Sequence, residues 1–481
     1  MNSAAPSGPQ DSAASVGTQP LPATALPPLS RDASFWCMTA TQFLGAFNDN
    51  LYKQLVLLVC LDYVRQRGLD HDPYQMFAQG MFALAFVLLS GLAGWLSDRY
   101  SKRTIVVLSK VGEIAVMAAG LAVFAVFDFG SDAYLVGLMF VLFLMGAQSA
   151  FFGPAKYGIL PEMLRDRDLP MANGVVQMTT FLAIIFGTAV CGWLKAGLAE
   201  HHQDLWQVSA ACVVVAIVGT LTSWGVRRTS IASPELRFDV QTLAVNRETR
   251  AVLRRDRTLL GVLLATVLFW FLGGVSLPAV NTLGKEQFGL GDGPTSMLTA
   301  CIGFGIAIGC VVAGLMSRHR VRFGLVRLGA WGMFLSFAAI AWLPSSGLMD
   351  LPLTAGVTGA DMVIAKTLPA ARTYVAGVLL ALMGLSAGVF AVPLQTFLQT
   401  RPPREQKGRM IAAMNLCTWV GILAAAGAYG FCSKVFTIQH ISNTFGVLAA
   451  MILPLALFYR PQDQLLTDMH SAAESSRPDS R

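Results

Sequence analysis

Residues 225–258 read GVRRTSIASPELRFDVQTLAVNRETRAVLRRDRT, and the eight arginines of this stretch divide an otherwise apolar chain in two. Before it lie six apolar runs, near 35–61, 76–96, 104–127, 134–156, 171–194 and 206–225. Six more follow, near 259–283, 293–316, 323–343, 373–399, 409–433 and 439–459. A hydrocarbon layer about 30 Å thick takes a helix of about 20 residues, and in lipid only helices or closed barrels satisfy every backbone group. The pattern predicts an all-α membrane protein with twelve transmembrane helices in two six-helix halves. A chain built this way has little to do except move something across or within the membrane.

Composition agrees. Hydrophobic residues make up 54% of the 481 and charged residues 13%, with a mean hydropathy of +0.56, too apolar for a solvated surface around a soluble core. The segments between runs are mostly too short to fold separately. Positive charge sets orientation, because excess Lys and Arg stay in the cytoplasm. With the N-terminus inside, cytoplasmic segments hold 25 of the 35 basic residues and the opposite side holds 7, while Lys53, Lys110 and Arg327 fall within spans. The expected organisation is a disordered cytoplasmic tail over 1–33, a first half over 34–225, a cytoplasmic linker over 226–258, a second half over 259–460 and a cytoplasmic tail over 461–481. His201 and His202 then face outward. The net charge of +7 has the same topological cause, so no nucleic-acid partner is expected.

Enzyme chemistry finds no support. The sequence has no G-x-x-x-x-G-K-[S/T] loop for ATP, and no histidine is followed five residues later by the aspartate of an H-x4-D acyltransferase motif. The eight cysteines fall in or at the ends of spans without a C-x-x-C, which indicates neither disulfides nor zinc. No catalytic set, metal site or cofactor is expected.

Polar residues inside the spans carry more information. In Thr41-Gln42-Phe43-Leu44-Gly45-Ala46-Phe47-Asn48-Asp49-Asn50-Leu51-Tyr52-Lys53, Asp49 sits near the middle of the first span. An ionised side chain there costs at least about 2.5 kcal/mol, so something must compensate it. Gln42, Gly45, Asp49 and Lys53 follow helical spacing down one face, a stripe expected to look into a cavity. The bland alternative is that Asp49 and Lys53 only neutralise each other or cap a neighbouring helix. In the third span Lys110 and Glu113 stand at i and i+3, and Lys110 is expected to snorkel to the cytoplasmic surface, leaving Glu113 as a buried acid free to bind a cation or pair with Lys53. Gln148, Asn173, Gln177, Gln395 and Asn415 are further in-span polar residues, each as easily helix glue as ligand. Candidate substrate-binding residues are therefore Asp49, Asn48, Lys53, Gln42, Glu113, Lys110 and Gln177.

Between the second and third spans runs Gly94-Trp95-Leu96-Ser97-Asp98-Arg99-Tyr100-Ser101-Lys102-Arg103. This resembles the G-x-L-a-D-r-x-G-r-k loop of the major facilitator superfamily, with Ser101 in place of a glycine. An acid at a helix end beside the bases Arg99, Lys102 and Arg103 suits a cytoplasmic latch that exists in one orientation and breaks in the other. The equivalent stretch of the second half, Gly314 to Arg322, has bases but no acid, so the latch is expected to be asymmetric.

Phe151-Phe152-Gly153-Pro154-Ala155-Lys156-Tyr157-Gly158-Ile159-Leu160-Pro161-Glu162, with Ala172-Asn173-Gly174, Met178-Thr179-Thr180, the first-span stretch above and Val392-Pro393-Leu394-Gln395 through Gly408-Arg409 and Asn415, is similar to bacterial lysophospholipid transporters and to the transporter portion of fused acyltransferase/acyl-carrier-protein synthetases. The resemblance implies flipping of lysophospholipid, chiefly lysophosphatidylethanolamine, into the inner leaflet of a bacterial cytoplasmic membrane. It also implies Asp49 as headgroup ligand and a separate acyltransferase partner that restores the missing chain. Such transporters can carry an arginine in the seventh span, but here Gly273-Gly274-Val275-Ser276-Leu277-Pro278 stands there with no base before Lys285, which turns the expectation for a phosphate ligand to Lys53 or Lys110. The residues alone also admit a proton-coupled exporter of a small amphipathic solute, with Asp49 or Glu113 carrying the proton.

Overall fold

The computed structural model describes residues 26–67, 73–129, 131–198, 204–238, 245, 247–290, 292–317, 320–343, 371–436 and 440–465. His201 and His202 lie outside them. Twelve long helices correspond in order to the twelve apolar runs: α1 (Ala33–Arg67), α2 (Pro73–Arg99), α3 (Lys102–Val126), α4 (Asp132–Met163), α5 (Leu169–Leu198), α6 (Leu205–Trp224), α7 (Arg257–Thr282), α8 (Asp292–Met316), α9 (Phe323–Trp342), α10 (Ala371–Thr400), α11 (Lys407–Val435) and α12 (Asn443–Phe458). Helix starts follow local chemistry: the Ser131 hydroxyl accepts the Tyr134 N–H ahead of α4, and the Asp256 carboxylate accepts the Leu259 N–H ahead of α7.

Ten of the twelve are long and apolar enough to cross a membrane. The two that fall short do so for different reasons. In α1 the polar stripe from Thr41 to Lys53 dilutes the apolar run. In α12 only 16 residues are helical, about 24 Å at 1.5 Å per residue, short of a full hydrocarbon layer.

Helix pairing displays the two-fold relation between halves. In the first half α1 packs on α5 and α6, α2 on α4, and α3 on α4 and α6. In the second half α7 packs on α11 and α12, α8 on α10, and α9 on α10 and α12, the same pattern six helices later. The main contacts between halves, α2 with α11 and α5 with α8, are exchanged by the same operation. The tightest pair is α8–α10, where a Cβ built on Gly305 or Gly309 would stand 2.1 Å from a carbonyl oxygen of α10, so only glycine permits the approach.

Ends of helices from both halves gather at one face, which also carries the linker. There Arg227 pairs with Asp32 at 2.5 Å and Arg401 pairs with Asp256 at 2.7 Å. This face extends into both predicted tails. Leu26 is buried, Leu29–Arg31 form a 3-10 turn and Asp32 is 1% exposed, so residues 26–32 are packed against the bundle because Asp32 holds the linker arginine. At the other end Gln464–Leu465 pair with Arg320–Val321 as a two-residue antiparallel ribbon, and Asp463 accepts the Phe323 N–H at the start of α9. The predicted tails 1–33 and 461–481 are thus ordered where they meet the bundle. Within the linker, Arg247–Arg255 form a short helix.

Candidate functional site

Asp49, Lys53, Lys110, Glu113 and Lys156, all inside helices of the first half, sort into two groups, one closed and one open. The closed group lies inside the first half. Lys110 and Glu113, one turn apart on α3, form an ion pair with side chains only 2% and 1% exposed. Asn48 of α1 donates to the other Glu113 oxygen at 2.8 Å. Room for the ammonium comes from Gly45, where a Cβ would meet Lys110 Nζ at 2.6 Å, and from Gly219, where it would meet Lys110 Cε at 3.2 Å. The expected snorkelling of Lys110 therefore does not occur, because glycines of α1 and α6 admit its side chain and Glu113 neutralises it. Glu113 in turn pairs with Lys110 and not with Lys53.

The open group has one acid and two bases. Asp49 of α1 is half-buried and accepts from Ser149 Oγ at 2.6 Å and from Gln148 Nε2 at 3.5 Å, both on α4. Among the described residues no base lies within ion-pair distance of it. Pro154, four residues beyond Ala150, removes one rung of the α4 ladder next to these two donors. Lys53 sits over the Phe82 ring of α2, 5.5 Å from its centroid. Lys156 of α4 donates to Thr180 of α5 at 3.3 Å and lies 4.9 Å from the Tyr157 ring. Neither lysine meets a carboxylate among the described residues, although both lie within electrostatic reach of Asp49. The alternative reading, in which Asp49 and Lys53 neutralise each other, thus finds no ion-pair contact among the described residues.

The remaining candidates have other surroundings. Gln42 is buried, donating to Thr179 at 2.5 Å and accepting from Thr180 at 2.9 Å, so the predicted stripe down α1 faces α5, α3, α4 and α2 in turn. Gln177 is buried with its carbonyl oxygen unpartnered among the described residues. Lys156, Ser149 and Thr180 were missing from the sequence-based set, although all three lie in or beside the quoted family stretches. In the second half Leu268, Trp270 and Phe271 of α7 are partly buried, and Trp270 lies parallel to Phe181 of α5 at 6.3 Å. Trp419 of α11 stacks on Phe86 of α2 at 4.4 Å.

Asp98 ends α2 and is 0% exposed. Its partners belong to the other half: Oδ1 accepts the Gly408 N–H at 2.7 Å, and Oδ2 accepts the Arg409 N–H and Nε, both at 3.1 Å. An acid is here set on the unsatisfied N–H groups that open α11, where the helix dipole favours negative charge. Gly408 is needed at this spot, since its Cβ would stand 2.5 Å from Asp98 Oδ1. The neighbouring bases turn elsewhere: Lys102 pairs with Glu162 at 2.5 Å, and Arg103 donates to the carbonyls of Val226 and Trp224 at 2.6 and 3.1 Å. Arg99 takes no part in the contact. Arg409 supplies the base instead, and it also meets Glu248 of the linker helix at 2.8 Å. Ser233 of the linker bridges the halves, its N–H donating to the Asp98 carbonyl at 2.9 Å and its hydroxyl to the Glu405 carbonyl at 3.1 Å. Deeper between the halves, Asn173 and Gln399 exchange amide hydrogen bonds at 2.9 and 2.8 Å.

Comparison with known proteins fits this geometry. The chain is 28% identical over 415 residues to a lysophospholipid transporter of Serratia proteamaculans, covering 85% of this chain and 90% of that one. It is 29% identical over 409 residues to a lysophospholipid transporter of Cronobacter sakazakii, covering 82% and 87%. Among solved structures, FucP, a Major Facilitator Superfamily transporter in the outward conformation, superposes with a TM-score of 0.66 at 14% identity, over 89% of this chain and 99% of that one. A bacterial homologue of the iron transporter ferroportin in its outward-facing state gives 0.62 at 14% identity, over 91% and 99%. The Major Facilitator Superfamily model matches residues 36–426. With twelve long helices among the described residues, in two pseudo-symmetric halves closed on each other at one face, the chain belongs to the Major Facilitator Superfamily.

Proposed function

We propose that the protein flips lysophospholipid across a bacterial cytoplasmic membrane by alternating access, with both termini and the 226–258 linker in the cytoplasm. The observation that supports this most is the open group: one acid and two bases inside membrane helices, without ion-pair partners among the described residues. Leaving such charges unpaired in a membrane is expensive unless a ligand completes them. A zwitterionic headgroup does so, its ammonium at Asp49 and its phosphate at Lys156 or Lys53. Lys110 is already committed to Glu113, which removes it from this role. The acyl chain lies against Trp270, Phe271 and Trp419 of the nearly charge-free second half. Asp98 on α11, with Arg409, Ser233 and the Asn173–Gln399 pair, forms the latch of the outward-facing state. It breaks when the halves rock the other way. A separate cytoplasmic acyltransferase consumes the delivered lipid.

In reconstituted vesicles without ATP, the protein should move lysophosphatidylethanolamine between leaflets, and Asp49→Asn should slow it. Acceleration by an imposed pH gradient, with no lipid movement, would instead support the proton-coupled exporter of a small amphipathic solute. Reporter fusions after Arg228 and after Asp204 should report opposite sides of the membrane, and the same side for both would refute the proposed orientation.

A further inference from the structure

The outer wall of the second half carries a groove unrelated to the central cluster. Near the latch face, α9 and α12 border a space of about 680 Å³ lined by Gly324, Arg327, Leu328, Trp331, Leu457 and Arg460. Neither helix has a main packing partner in the first half, so their outer sides face lipid. Leu328 is 60% exposed, as expected for a hydrocarbon contact.

Two arginines are out of place on such a surface. Arg327 is exposed one turn inside a membrane helix, and Arg460 is exposed two residues beyond the end of another. Neither has a carboxylate partner among the described residues. Asp463, the nearest acid in sequence, is engaged with the Phe323 N–H at 2.8 Å. Arg460 is held in position, its Nε donating to the Leu457 carbonyl at 3.3 Å, while the ribbon of Arg320–Val321 with Gln464–Leu465 fixes the chain that follows it. Two guanidinium groups held beside one cleft repel each other unless an anion lies between them, and a phosphate matches their planar donors. Gly324 leaves the floor open, since a Cβ there meets no atom within 4 Å.

We propose that this groove is a binding site for one anionic diacyl glycerophospholipid of the latch-side leaflet. The lipid phosphate sits between Arg327 and Arg460, and its acyl chains run down Leu328 and Trp331 of α9 and Leu457 of α12. A basic cleft between membrane helices at headgroup depth is the chemistry that recognises such lipids. The site stands on the half that does not carry Asp49 and is independent of the transported lipid.

Native mass spectrometry of the full chain, released from nanodiscs of equimolar phosphatidylglycerol and phosphatidylcholine, tests this. The wild type should retain one phosphatidylglycerol, and Arg327→Gln with Arg460→Gln should lower its occupancy at least tenfold. Gly324→Phe fills the floor without removing charge and should displace the lipid equally well, which keeps the test decisive if the double variant folds poorly. Asp49→Asn should leave retention unchanged. Equal retention of both lipids by the wild type, undiminished phosphatidylglycerol on the Gly324→Phe protein, or its loss on Asp49→Asn would each overturn the proposal, the last by placing the lipid in the central site.

Discussion

The two halves share one packing pattern and differ in what they place inside their membrane helices. The first holds Asp49, Lys53, Lys110, Glu113 and Lys156 on α1, α3 and α4, whereas α7 has no charged residue between Arg257 and Lys285 and presents tryptophan and phenylalanine. A fold of this kind needs only shape from both halves to rock, so chemistry can be confined to one of them. The difference also shows that buried charge is of two kinds. Lys110 and Glu113 pair with each other, while Asp49, Lys53 and Lys156 make no ion pair among the described residues.

That distinction breaks most visibly at Glu113. Glu113→Gln strands the Lys110 ammonium in the interior, and breaking a buried pair costs about 3–5 kcal/mol. The variant should unfold at markedly lower temperature in detergent, and adding Lys110→Met should recover most of the loss. Asp49→Asn, by contrast, should leave thermal stability close to wild type. Equal destabilisation by Glu113→Gln and Asp49→Asn would erase the division into closed and open groups.

The latch comes next. Asp98→Asn removes the charge from hydrogen bonds to α11, each worth about 1.5–3 kcal/mol when one partner is ionised. Labelling of single cysteines at the latch-side mouth should rise about tenfold or more, with the protein still folded. Gly94→Leu should act the same way, because its Cβ would stand 2.6 Å from that of Ala412 and wedge α2 from α11. If neither variant changes labelling, the latch does not hold the halves.

The smallest expected effect concerns the apolar half. Gly273 of α7 is exposed, with open space where a Cβ would go, so Gly273→Arg adds a base to that half without a clash. It should raise preference for anionic over zwitterionic lysophospholipid several-fold, read by competition in vesicles. A lack of any change in headgroup preference would show that α7 does not face the headgroup.

The sequence reveals the architecture well because its signals are local: apolar length, basic loops and the linker that splits them. Asp49 and Asp98 stand out for a similar reason, as acids in places where an acid is costly. What pairs with them is set by the packing of helices far apart in sequence. Nothing near Asp98 in the chain names Gly408 and Arg409, more than 300 residues away, and its adjacent bases Lys102 and Arg103 turn to Glu162 and to the end of α6. The sequence around Lys110 does not show its inward course, because snorkelling depends on whether a neighbour makes room, and that room is supplied by Gly45 and Gly219 on other helices. Lys156 stands in the sequence as part of a family string, and it joins the candidate site only because the described residues set no carboxylate beside it.

The central claim is that Asp49 reads the headgroup ammonium, and a two-by-two comparison tests it most directly. Wild type and Asp49→Asn are each assayed in vesicles with lysophosphatidylethanolamine and with lysophosphatidic acid, which has the phosphate but no amine. Losing a charge-assisted contact of about 1.5–3 kcal/mol should slow the ethanolamine lipid by about ten- to a hundredfold. The same substitution should leave lysophosphatidic acid movement unchanged or faster. An equal loss on both lipids, or on neither, would contradict the assignment.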